Sequence, residues 1–123
     1  MLTSLLLAAA ASAHHPCLGD FVHRGSTGEM SVGARIRSEP DYAEILFSDH
    51  GNIQSPSLQW EPRSLTIIDQ HDGSSIVLVC DEGAATLVLP SDEYQRARTF
   101  RMERTSGSLW QVAEREGWLE PDE

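Results

Sequence analysis

Five histidines carry most of the chemistry open to this chain. His14 and His15 stand side by side, just after an apolar leader and just before Pro16 and Cys17. Cleavage after Ala13 would make His14 the first residue. A terminal histidine offers its free amine and a ring nitrogen to one metal ion. A further imidazole then completes a T-shaped nitrogen set suited to Cu(II). His15, His23, His50 and His71 are the available rings, and the expected metal set is His14, His15 and His23. Cleavage one residue earlier would put His15 third, in the terminal arrangement that takes copper or nickel. The plainer reading is a frayed His-His pair ahead of a proline.

Two other groups of residues invite a chemical reading. Asp49-His50 and the run Asp69, His71, Asp72 place imidazoles beside carboxylates. Such a histidine has a raised pKa and can act as a base. With Ser74 and Ser75 nearby, a small hydrolase using His50 or His71 as base is one expectation. No Gly-x-Ser-x-Gly elbow exposes a serine, and Asp, His, Gly and Asn also make good turns. The second group is Arg96, Arg98 and Arg104. They share strand parity with Phe100 and Met102, whereas Arg101 points the other way. These three are expected to line an anion pocket or a barrel mouth. The competing role is simple pairing with nearby carboxylates.

The totals bound these readings. The chain has 123 residues, enough for one domain. Nine basic residues against 19 acidic ones give a net charge of −10, and every basic residue is arginine. Without lysine there is no Schiff-base amine and no P-loop. An acidic surface repels phosphate backbones, so nucleic acid is not an expected partner.

Residues 1–13 form a short apolar run ending Ala11-Ser12-Ala13. That is the small-x-small pattern of an export signal, although no Lys or Arg precedes it. It is shorter than the roughly 20 residues needed to cross a bilayer. Residues 14–16 make no lipid-attachment box ahead of Cys17. The mature chain is therefore expected in the periplasm or outside the cell, not embedded in a membrane. Two cysteines in an oxidising compartment pair, so Cys17 and Cys80 are expected to form a disulfide.

The elements that must hold these groups read as β-strands. Residues 75–80 and 84–89 are rich in Val, Leu and Ile and are joined by an acidic turn with a glycine. Neither alternates cleanly, so this hairpin is expected to be central and covered on both faces. Met30–Arg37 alternates as a half-buried strand. Tyr42–Ser48, Ser57–Trp60, Ser64–Asp69 and Arg98–Arg104 are further strands, and Gly19–Gly25 holds a first one. Asp49–Pro56 reads as a turn and its extension. The aromatic residues, Trp60 and Trp110 included, read mostly as core. Residues 108–116 admit two readings. Ser108 with Gln111 matches a capping box and Gly117 a C-terminal cap. Trp110 and Val112 also fit a strand pairing back on Phe100 and Met102, and the strand is preferred. Residues 117–123 form an acidic tail, frayed unless Trp118 docks.

Short strands, regular turns and no room for βαβ crossovers predict an all-β domain spanning 14–123. It should be a small antiparallel barrel or two-sheet sandwich of about eight strands, following a cleavable signal helix. The expected function is an exported binding or interaction module without covalent chemistry, taking a small ligand or another exported protein. The alternatives are a periplasmic copper-binding protein using His14, and the hydrolase above. No cofactor is required, copper being the one the histidines would take. The balance falls against an enzyme.

Overall fold

The computed structural model describes residues 14–26, 28–81, 83–90 and 96–119. The expected signal segment 1–13 lies outside them, as do the polar connection at 91–95 and the end of the tail at 120–123. Nine strands build the fold, one more than the sequence led us to expect: β1 Gly19–His23, β2 Val32–Arg37, β3 Tyr42–Phe47, β4 Asn52–Ser55, β5 Leu58–Glu61, β6 Ser64–Ile68, β7 Ser75–Asp81, β8 Ala84–Leu89 and β9 Arg98–Arg104. They form one antiparallel sheet in the order β4-β3-β2-β1-β9-β8-β7-β6-β5. The last strand returns to pair with the first, with Phe21 opposite Arg104. The meander thus curls into a nearly closed barrel.

Period-2 alternation decides what lies inside. Phe21, Ile36, Ile45, Leu65, Ile67, Leu78, Leu87 and Met102 point into one interior cluster, all essentially inaccessible to solvent. Each such side chain stabilises the fold by about 1.5–3 kcal/mol relative to exposure. The expected disulfide joins this cluster. Cys17 and Cys80 are bonded, their Cα atoms 5.3 Å apart. The bridge staples the segment before β1 to the end of β7.

The seam of the barrel was not legible in the sequence. Residues 52–55, expected as turn, form β4 and pair with β3. β5 pairs instead with β6. β4 and β5 act as one strand bent at Pro56, which has no N–H for a ladder. The bend is fastened by Ser55 Oγ donating to the Ile68 carbonyl at 2.5 Å and by the Ile68 N–H donating to the Ser57 carbonyl at 3.0 Å.

Two further expectations are overturned. Residues 109–115 form a helix, α1 (Leu109–Arg115), not a strand. β9 is already paired on both sides, by β1 and β8, so it has no edge to offer a further strand. The caps then decide. Ser108 Oγ accepts from the Trp110 N–H, and the Gln111 side chain takes the Ser108 N–H. At the other end Gly117 has φ +78°, and the Trp118 N–H donates to the Ala113 carbonyl, a Schellman closure. α1 lies on the outside of the barrel, burying Leu109, Val112 and Ala113 with Trp118 against Val22 and Leu46. Trp118 therefore docks. The second correction concerns the β7–β8 hairpin. Its inner face is core, but Val79 is 48% exposed on the outside. Among the described residues α1 covers the β1–β3 side only.

Candidate functional site

Strand β9 carries the site. Arg101 and Glu103 point outward and are exposed. Arg104 has the inward parity of Met102 but comes at the strand's end, where the barrel opens. Its guanidinium lies 4.6 Å from the centre of the Phe21 ring. Nη1 donates to the Leu18 carbonyl at 2.7 Å and Nη2 to the Pro16 carbonyl at 3.1 Å. Gly19 has φ +123°, and a Cβ there would press on Nη1, so a larger residue would strain the backbone and shift the guanidinium. Arg104 thus closes this end and pins the chain just before β1.

Around that plug lies an open cleft of about 540 Å³. Arg101 and Arg104 come from β9, Arg24 from the chain just after β1, and Arg115 from the last turn of α1. His23, Glu103, Thr105 and Ser106 complete its polar lining. Four of the chain's nine arginines meet here. The side chains of Arg24, Arg101 and Arg115 are 56%, 64% and 67% exposed. Glu116 Oε2 accepts from Arg24 Nη2 at 2.8 Å and stands 4.0 Å from Arg115 Nη2. Asp81 is 3.6 Å from Arg101. Two of the Arg104 N–H donors go to carbonyl oxygens, which carry no net charge to offset its own. Exposed ion pairs of this kind contribute about 0–1 kcal/mol, so an incoming anion displaces them at little cost. Arg101 also borders a second cleft of about 730 Å³, which Arg63, His14, Asp81 and Cys80 line.

Of the arginines singled out in the sequence, Arg104 is in the cleft. Arg98 starts β9, six residues away, about 20 Å along an extended strand. There it sits over Phe100 at 5.6 Å. Arg96 is exposed just before β9. The three therefore do not line one pocket. Sequence parity grouped residues along a strand, whereas the cleft groups residues from separate elements. Arg24 follows β1, Arg115 ends α1 and Arg101 sits mid-strand in β9, so no local sequence signal links them.

The histidines are dispersed. His15 is buried and both ring nitrogens are engaged. Nδ1 accepts from the Cys17 N–H at 3.0 Å, so Nε2 carries the proton and donates to the Glu61 carbonyl at 2.5 Å. The ring meets Trp60 edge-on at 4.9 Å. His23 Nδ1 donates to the Arg101 carbonyl at 2.9 Å, leaving Nε2 for the cleft. His14 is exposed. His50 Nδ1 donates to the Trp118 carbonyl. Asp49 and Asp69 each accept from the backbone N–H two residues on, of Gly51 and His71, so these carboxylates shape turns. Among the described residues no group of three or more His, Cys, Asp or Glu could hold a metal ion. No described helix is long and apolar enough to cross a membrane.

Comparison with protein-family models, with curated proteins and with solved structures finds no match for this chain.

Proposed function

We propose that the protein is an exported binding module that holds a small, multiply charged oxyanion in the arginine cleft, without covalent chemistry. One observation carries the reading. A chain of net charge −10 gathers four of its nine arginines, from three separate segments, around one cleft. Guanidinium groups pair with carboxylate, sulfate or phosphate through two parallel N–H donors, the strong form of such bonds. The filled barrel interior supports an external site, since its core side chains leave no solvent-accessible surface. The overall acidity disfavours long polyanions and leaves small ones. Export is supported by the disulfide, which fits an oxidising compartment, and by the apolar leader.

Calorimetric titration of the oxidised protein with pyrophosphate and with citrate tests this. Saturable binding in about the micromolar to millimolar range is expected. The double variant Arg101→Gln/Arg115→Gln should weaken it at least about tenfold, since each charge-assisted bond contributes about 1.5–3 kcal/mol. Arg98→Gln should leave it unchanged. Equal binding by the double variant would remove the proposal.

Copper is the second reading, favoured by His14, which is exposed and lines the neighbouring cleft with Asp81. It requires N-terminal sequencing to find His14 first. Cu(II) must also bind more tightly than about 1 μM; weaker binding ends it.

A further inference from the structure

A further cleft, of about 240 Å³, lies between α1 and the β3–β4 hairpin and shares no residue with the arginine cleft. Its outer wall is Trp110, whose side chain the sequence reads as core but which is 37% exposed. Leu109, Val112, Ala113 and Trp118 already seat the helix, so Trp110 is surplus to that packing. The ring is nonetheless held in place. Its Nε1–H donates to Glu44 Oε1 at 2.6 Å. Glu44 is only 2% exposed, on the outer face of β3, and its Oε2 accepts from the Gln54 amide at 3.1 Å. The residue opposite Glu44 on β2 is Arg35, whose Nε is buried and has no hydrogen-bond partner. Arg35 is a strand neighbour of Glu44 and lies outside the cleft lining. His50 completes the rim. Its Nδ1 donates to the Trp118 carbonyl, which leaves Nε2 as an acceptor in the neutral ring. Asn52 adds a further side-chain amide.

An immobilised aromatic face, a carboxylate and two amides around one cleft match a ligand with one apolar face and many hydroxyls. The volume lies below the roughly 300–1,000 Å³ typical of drug-sized sites, so the cleft takes one ring, not a chain. We infer that this cleft binds a single pyranose, with its C–H face against Trp110 and its hydroxyls on Glu44, Gln54 and Asn52. The sugar comes either free or as the end of a glycan. The inference stands apart from the arginine cleft and survives its failure.

The test is an NMR titration of the ¹⁵N-labelled, oxidised protein, read at the Trp110 indole N–H. The probes are glucose, galactose, mannose and N-acetylglucosamine, each also as its methyl glycoside. At least one probe should shift that resonance saturably, with half-saturation in about the millimolar range. A free sugar that binds as well as its glycoside identifies a free monosaccharide. Binding by the glycoside alone identifies a glycan end. Trp110→Ala should weaken the response of the backbone resonances around Gln54 at least about tenfold. Gln54→Ala, a partly exposed contact, should weaken it several-fold. Trp110→Phe, which keeps a ring and loses the N–H, should fall between wild type and Trp110→Ala. No shift by any probe at about 100 mM, unchanged affinity in Trp110→Ala, or a tighter response to tetramethylammonium would each overturn the inference.

Discussion

Gly33 on β2 faces α1, and a Cβ there would stand 2.2 Å from Leu109 Cδ1. The helix can lie this close to the barrel only because that position has no side chain. Gly33→Ala should therefore lift α1 and cost about 1–3 kcal/mol in urea unfolding, the usual range for overpacking. A smaller, local effect belongs to Asp72. Hydrogen bonds from Ser74 hold its carboxyl below the ordinary Asp value. A depressed folded value means that its contribution to stability is present above the ordinary value, and is lost as pH falls through the lowered one. Ser74→Ala should move the Asp72 titration, followed by NMR, back up toward 3.8. No movement would contradict the assignment. Individual roles such as these were the least legible in the sequence. Nothing local to Gly33 shows that the helix side chain of Leu109, 76 positions on, packs against it. His15 did not reveal its part, because its acceptor, the Glu61 carbonyl, lies 46 residues further on.

Strands followed from local pattern, and the mistakes came where tertiary pairing overrode it. α1 had both its caps written in the sequence, Ser108 with Gln111 and then Gly117. What the sequence hid was that β9 has no free edge, since β1 pairs with it across the chain, Phe21 opposite Arg104. β4 was hidden for a similar reason. Ser55-Pro56 looks like a loop, and here it is the corner at which one strand changes partners. The helix depends on its caps more than a longer one would, because a helix this short gains little from propagation. Ser108→Ala should cost about 1 kcal/mol, read as a lower midpoint in urea at unchanged slope. It should also loosen Trp118, seen as a red shift of tryptophan emission. Full retention of stability would mean that packing by Leu109 and Val112 alone holds the helix.

The whole molecule is a nearly closed barrel whose leading segment is fastened by a disulfide and by the hydrogen bonds of Arg104. Cys17–Cys80 spans 63 residues, and the chain-entropy model values such a closure at about 4 kcal/mol. Removing it with Cys17→Ser/Cys80→Ser should cost about 2–5 kcal/mol in chemical unfolding. That bond was readable from cysteine count and the apolar leader. The convergence of Arg24, Arg101, Arg104 and Arg115 was not, because these residues span 91 positions and share no periodicity. Only the closing of β9 onto β1, with α1 folded back over the outside, brings them together. Net charge works against binding at long range, since the chain carries −10. That repulsion is screened beyond about 8 Å at physiological salt, and contacts inside the cleft are screened less. The most direct measurement is a pyrophosphate titration followed at the arginine Nε–H resonances of the oxidised protein. The account predicts that Arg24, Arg101 and Arg115 shift together along one saturable curve while Arg96 and Arg98 stay still. Uniform drift of all exposed arginines, without saturation, would contradict it.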